Sequence, residues 1–270
     1  MDDPNFIYRQ LPKLVDSSFV DFQSDSVVSK RIVNGILGQF RAKIALETSK
    51  YWVKCTHPDI YQIQMAARND GGLTGRYQWL RLWEICKIFR KWDIKSVLEF
   101  GSGASSSMFA KLLDSKQNFI SIDQSRFWAE RTRKIVGPYA NKINLLQYDR
   151  ILEFFDGESC TRYDLPERVY SRQFDLVYID GPTANLIDQD NASKVKILDK
   201  KGTMPNIDIE YMLNHGVWPK LIVVDGRRAT VRRLLKRLRG KYEVCMKYAY
   251  EHPFQRSGRF FYHSIFVKID

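Results

Sequence analysis

Residues 97–107 read Val97-Leu98-Glu99-Phe100-Gly101-Ser102-Gly103-Ala104-Ser105-Ser106-Ser107. A short apolar run with strand character enters a turn of glycine and serine, and small residues that suit a helix follow. Glycines at such a turn let the backbone approach a ligand closely, because no Cβ stands in the way. An ordinary strand-to-helix turn has the same look, so the flanking chain must decide between the two.

Downstream, four more short apolar runs alternate with helical segments: 118–122, 142–147, 174–179 and 220–224. Runs this short and apolar suit strands buried on both faces of a parallel sheet. The segments Met108–Leu113 and Trp128–Val136 read as helices between them. This β-α-β-α order predicts a doubly wound α/β fold. Tyr242–Tyr250 and Arg259–Lys268 are strand-like too, separated by a loop holding His252-Pro253 and Ser257-Gly258. A parallel pair needs a crossover of about a dozen residues, so these two are expected to be antiparallel. Ahead of residue 93 the chain reads as helical. Val28, Ile32, Ile36, Leu37, Phe40 and Ile44 recur at helical spacing, and Arg76 to Lys91 carries Leu82, Ile85, Cys86 and Phe89 on one side.

Acids close the strands in order. Asp123 follows the second run, Asp149 the third, Asp180 the fourth and Asp225 the fifth. The carboxyl ends of parallel strands border the crevice where such sheets bind ligands, and an acid closing the second strand is placed to hold a ribose. A dinucleotide fits poorly. Its G-x-G-x-x-G fingerprint is broken by Ser106, and Glu99 would repel a pyrophosphate. Glu99 suits a cationic amino group, held directly or through water, which favours a nucleoside that carries an amino acid.

On these residues the chain, from about Asp93 to Asp270, resembles the class I S-adenosylmethionine-dependent methyltransferases. Glu99-Phe100-Gly101-Ser102-Gly103 is similar to their E/D-x-G-x-G signature. The resemblance implies a Rossmann-like, seven-stranded sheet, mostly parallel with the antiparallel C-terminal pair. It divides the chain into an N-terminal helical segment, 1–92, packing on or covering the active site, and a methyltransferase domain, 93–270. It implies S-adenosyl-L-methionine held by Glu99, Gly101, Ser102, Gly103, Ser105, Asp123, Gln124, Asp149, Arg150, Asp180 and Gly181. Asp180 would stand beside the methyl group. The loop Gly71-Gly72-Leu73-Thr74 either covers the methionine end or simply joins two helices.

The acceptor is less defined. Ile179-Asp180-Gly181-Pro182 lacks the [DNS]-P-P-[YF] pattern of amino-methyltransferases, and no cysteine follows a proline as in cytosine C5 enzymes. The pattern is more like O-methyltransferases of sugars and small molecules. A hydroxyl acceptor needs a base or a metal ion to lose its proton. Asp180 is the first candidate for a catalytic contact, and His263 or His215 for a base. Metal-dependent relatives bind magnesium at acids after the fourth and fifth strands, which makes Asp180 and Asp225 candidate Mg2+ ligands. Gly226 and the 45 positions between the two acids speak against this. The other reading of Asp225 is a cap for a helix starting at Ala229, or a partner for Arg227 or Arg228.

The formal charge is +12, and eight basic residues without an acid fall in 227–241, RRATVRRLLKRLRGK. Val231, Leu234, Leu235 and Leu238 mark an apolar helix face. Arg228, Arg232, Arg233, Lys236, Arg237 and Arg239 fill the rest, as a solvated face or as a site for an anionic partner. Arg227 and Arg228, nearest the crevice, are candidate substrate ligands. The segment 183–219, with Asp188, Asp190, Lys194, Lys196, Lys200, Lys201 and Asp208, is expected to form a lid or an oligomer contact. Cys55, Cys86, Cys160 and Cys245 form no metal or disulfide pattern. No run reaches the ~18 apolar residues of a membrane span. The polar opening MDDPNFIYRQ is unlike a secretory signal, so the cytoplasm is the expected compartment. The function expected is O-methylation of a sugar, glycan or small hydroxylated metabolite. The alternatives are an RNA methyltransferase using the basic helix, a cofactor-binding protein without transferase activity, and, more distantly, a nicotinamide oxidoreductase.

Overall fold

The computed structural model describes residues 28–69, 77–115, 118–181, 204–250 and 259–269. The loop Gly71–Thr74, the acids and lysines expected in a lid at 188–201, and the turn with His252-Pro253 and Ser257-Gly258 lie outside the described residues.

Three helices come first: α1 (Val28–Thr56), α2 (Pro58–Asn69) and α3 (Gln78–Lys91). Then β1 (Val97–Phe100), α4 (Ala104–Leu112), β2 (Phe119–Asp123), α5 (Arg126–Val136) and β3 (Asn144–Gln147) alternate. A hairpin follows, β4 (Arg150–Phe155) and β5 (Glu158–Tyr163), with the short α6 (Glu167–Tyr170) behind it. The chain continues through β6 (Leu176–Ile179), α7 (Asp208–Asn214), β7 (Leu221–Val224), α8 (Arg228–Arg237), β8 (Tyr242–Tyr250) and β9 (Arg259–Lys268). The main sheet has seven strands in the order β3-β2-β1-β6-β7-β9-β8. The first five are parallel neighbours, and β9 runs antiparallel to both β7 and β8. Each strand expected from the apolar runs is present.

Side chains alternate across a strand, and here that alternation builds two cores. Val97, Leu176, Tyr178, Leu221, Val223 and Ile265 face α1 to α4, where Trp52, Val53, Leu82, Ile85 and Phe109 cover them. Leu98, Phe100, Val177, Ile179, Ile222, Val224 and Phe266 face the other way, under Ile209 and Met212 of α7 and Leu234 of α8. The N-terminal helices therefore share a core with the sheet. Helix α1 is longer than this packing needs: Phe40, Ile44 and Tyr51 stay exposed on it. Among the described residues no helix is long and apolar enough to cross a membrane.

Candidate active site

The Gly-rich turn is pinched against the end of β6. Phe100 O accepts from both Asp180 N (2.7 Å) and Gly181 N (2.6 Å), and Gly101 N donates to Ile122 O at 2.8 Å. Gly101 has φ +92°, and a Cβ there would stand 2.6 Å from Gly181 Cα. Only glycine satisfies both the conformation and the contact. Gly103 differs, since a Cβ on it would meet nothing within 4 Å, so the turn is open on that side.

Glu99 lies behind the turn and is wholly enclosed. Ser105 Oγ and Ser106 Oγ each donate to it at 2.5 Å, and Ser121 Oγ donates from β2 at 2.6 Å. Burial raises its pKa to about 7, with the three hydroxyls working in the opposite direction. Its oxygens face the serines that start α4 rather than the open side of the turn.

Asp123 closes β2 and grips the same turn. Its Oδ2 accepts from Ser102 N at 2.8 Å and Ser102 Oγ at 3.0 Å, and its Oδ1 accepts from Ser125 N at 2.8 Å. Next to it, Gln124 Oε1 is a buried acceptor with no partner among the described residues. Asp149 is exposed in the link from β3 to β4, and Arg150 opens the hairpin beside it. The structure thus gathers Gly101, Ser102, Gly103, Asp123, Gln124, Asp180 and Gly181 at one end of the sheet, with Asp149 and Arg150 following β3.

Asp180 continues β6 and keeps 43% of its side chain exposed. Arg227 Nη2 donates to its carbonyl oxygen and lies 3.3 Å from its Oδ1. Burial raises the Asp180 pKa, opposed by Arg227 and then Arg81. Asp225 is different, with 2% of its side chain exposed. Arg81 Nε, from α3, stands 2.7 Å from its Oδ2, and Tyr178 OH donates to the same oxygen at 3.0 Å. Burial first, and then the charge of Asp180, push Asp225 up to about 7.

Strand order and site geometry meet in one comparison. A solved structure from Klebsiella pneumoniae, provisionally assigned as an O-methyltransferase, overlays with a TM-score of 0.52 at 13% identity, covering 83% of this chain and 97% of that one. The chain has the class I methyltransferase fold. An O-methyltransferase from Bacillus cereus in complex with SAH overlays with a TM-score of 0.46 at 14% identity, over 83% of this chain and 100% of that one. TomG, an O-methyltransferase of Streptomyces achromogenes in complex with SAM, overlays with a TM-score of 0.48 at 14% identity, over 83% and 96%. These two scores, below 0.5, add nothing to the fold assignment. No family model matches the chain, and no curated protein sequence matches it significantly.

Within the methyltransferase fold several sequence expectations need correction. Asp180 and Asp225 do not fit the expected magnesium site. Among the described residues no group of three His, Cys, Asp or Glu side chains is placed to hold a metal ion, and each of the two acids already faces a guanidinium. The close ion-pair partner of Asp225 is Arg81, and Arg227 acts on it through the weaker pull of its charge. His263 is fully enclosed on β9, with Nε2 2.9 Å from Tyr178 OH, and burial followed by Arg81 and Lys247 drives its pKa well down. That enclosure denies it direct contact with an acceptor. Asp208, expected on a lid, is buried. It accepts from Tyr163 N at 3.0 Å and Tyr170 OH at 2.7 Å, and burial raises it to about 7.

The basic helix is divided. Arg233, read as surface, is only 9% exposed and pairs with Glu210, Glu158 and Asp156. Leu235, read as core, is 36% exposed. Arg228, Arg232, Lys236, Arg237 and Arg239 remain on the outside, and Arg227 turns toward Asp180. Three contributors escaped the sequence reading altogether: Arg81, Tyr178 and Tyr163, whose buried hydroxyl abuts Gly181.

Proposed function

We propose that the chain is an S-adenosyl-L-methionine-dependent methyltransferase whose acceptor is a hydroxyl of a sugar, glycan or other small metabolite. One observation carries this reading. The turn above Gly103 is open, and its rim carries the carboxylates of Asp123 and Asp180 rather than a cradle of cations. Carboxylates suit sugar hydroxyls and a positively charged ligand, and they disfavour a pyrophosphate. The unpartnered Gln124 Oε1 adds an acceptor on the same side. These residues fit a cationic nucleoside carrying an amino acid.

When bound, that cofactor supplies an electrophilic methyl group. Asp123 and Gln124 would accept from ribose hydroxyls, and Asp149 and Arg150 would border the base. Gly101, Ser102, Gly103, Ser105 and Gly181 would flank the amino-acid end, with Glu99 fixing Ser105 and Ser106 from behind. Asp180 is the catalytic contact: its exposed carboxylate, raised in pKa, would take the proton of the acceptor hydroxyl. Arg227 orients it by gripping its carbonyl and Oδ1, and Arg227 and Arg228 are the side chains nearest an anionic group on the acceptor. The remaining work is holding donor and acceptor in near-attack geometry. The two acids do not fit a magnesium ion, so no step is assigned to one.

The test is transfer of labelled methyl from S-adenosylmethionine into glycan, small-molecule, RNA and protein fractions of a cell extract. Label in the first two is expected. Failure to bind S-adenosylhomocysteine in calorimetry would sink the reading. A second reading, an RNA acceptor, is favoured by the exposed Arg228, Arg232, Lys236 and Arg239. It requires label in RNA and binding that weakens steeply with salt.

A further inference from the structure

Glu99, Tyr178, Asp225 and His263 are polar side chains on the sheet face that otherwise packs against the N-terminal helices. Tyr178 faces α3 because it alternates with Val177 and Ile179 on β6. Asp225 continues the Leu221–Val223 side of β7, and His263 continues the Ile265 side of β9. Glu99, beside Tyr178 in the register, is taken up by hydrogen bonds from its three serines. The other three meet around one oxygen and one hydroxyl: Tyr178 OH bridges Asp225 Oδ2 at 3.0 Å and His263 Nε2 at 2.9 Å.

A carboxylate buried this deeply needs a countercharge, because an unpaired one is strongly destabilising. His263 does not supply it, being held neutral. Arg81 does, 2.7 Å from Asp225 Oδ2. Burial works against the charge on Arg81, but Asp225 and then Asp180 outweigh it and hold its pKa above the ordinary value. Asp225 Oδ1 has no hydrogen-bond partner among the described residues, so Arg81 and Tyr178 at Oδ2 are what the structure offers this carboxylate.

We propose that Arg81 is the built-in countercharge of Asp225, taking the place of a divalent metal at this strand-end acid, so that helix α3 of the N-terminal segment sets the charge and position of Asp225. Arg81 is a positioning residue, and its consequence for methyl transfer rests on the function proposed above. The charge balance itself does not rest on that function. A guanidinium is permanently protonated, so the countercharge of Asp225 does not depend on metal supply.

Paramagnetic resonance of Mn2+ tests this without cofactor or turnover. The full chain, Arg81→Met, Arg81→Lys, Asp225→Asn and Arg81→Met/Asp225→Asn would be titrated with Mn2+. The native chain and Arg81→Lys are expected to bind no Mn2+ through Asp225. Arg81→Met is expected to gain a site at least tenfold tighter than any in the native chain, lost again in the double variant. The proposal is overturned if the native chain binds Mn2+ in a manner abolished by Asp225→Asn, or if Arg81→Met gains no site. Should Arg81→Met fail to fold, adding Asp225→Asn is expected to restore folding by removing the unpaired charge. Failure of that rescue also overturns the proposal. None of these readouts involves S-adenosylmethionine, so failure here is distinct from failure of the methyltransferase reading.

Discussion

Gly101 and Gly181 meet backbone to backbone, each so close that a Cβ built on it would stand 2.6 Å from the other's Cα. This contact joins the ends of β1 and β6 and fixes the turn that borders the site. Gly181→Ala is expected to cost about 1–3 kcal/mol through overpacking. Gly101→Ala should cost more, because φ +92° adds backbone strain. Gly103→Ala meets open space, so its stability should change by less than about 0.5 kcal/mol. Its affinity for S-adenosylhomocysteine should nevertheless drop more than tenfold. Urea unfolding and calorimetry on the three variants separate these effects; a Gly103→Ala variant with native affinity would remove that turn from the cofactor site.

Asp123 has two duties, and a single substitution distinguishes them. Its carboxylate accepts three hydrogen bonds from Ser102 and Ser125. Asp123→Asn sets an amide NH2 against an N–H donor and should cost about 1–3 kcal/mol. If Asp123 also holds the ribose, cofactor affinity should fall more than tenfold even below the unfolding temperature. Native affinity in a folded Asp123→Asn protein would confine the residue to holding the turn.

The sheet was legible because its strands are short apolar runs, each closed by an acid or a turn. The hairpin β4–β5 was not read, although its signal is in the sequence. Asp156-Gly157 is a two-residue loop with φ +50° and +80°, the Asp-Gly turn that suits tight hairpins. Its strands mix Arg150, Glu153, Glu158 and Arg162 with apolar residues, so no hydrophobic run marks them. Asp123 and Asp180 could be placed because strand ends define the crevice. Arg81 could not, because its partner Asp225 lies 144 positions away and nothing local marks the pair. Arg233 escaped for the same reason: composition counts it among eight cations, and only the fold brings Glu210, Glu158 and Asp156 to it.

That division of the basic helix has measurable consequences. Glu210 is 1% exposed, and Arg233 is its close partner. Arg233→Met leaves that carboxylate only Arg237, at 3.9 Å, and should destabilise the chain by up to about 3–5 kcal/mol. Arg232→Ala, one residue earlier and exposed, should change stability by less than about 0.5 kcal/mol. Chemical denaturation of both checks this, and equal effects would contradict the burial of Arg233.

Glu99 should imprint a pH dependence on stability. Its pKa is about 7 in the folded chain, against an ordinary 4.5. Between those values the folded state holds a proton that the unfolded state releases. Stability contributed by this group is therefore present below about pH 4.5 and declines as pH rises to about 7. The total is about 3 kcal/mol. Asp208, raised to about 7 by burial, acts in the same direction. Glu99→Gln should remove only its own share, so its stability gap to the native chain should shift in favour of the variant between pH 5 and 8. A pH-independent gap would show that Glu99 is ionised throughout.

Asp180 is where chemistry and structure can be separated most cleanly. Arg227 grips the main-chain carbonyl of residue 180 as well as Oδ1, so Asp180→Asn keeps that anchor. The substitution removes the charge and the capacity to take a proton. The kcat is expected to fall by about 10²–10⁴, the range for loss of a general base. Cofactor affinity should fall by less than kcat, because the turn is held by Gly181 N and Asp180 N on Phe100 O, both main-chain donors, and Asp123 remains on the rim. In the native chain kcat should rise with pH along an acidic limb set above the ordinary carboxylate range, the direction in which burial moves Asp180. In Asp180→Asn that limb should vanish. A limb that persists would assign the proton transfer to another group, and an undiminished kcat would remove Asp180 from the catalytic machinery.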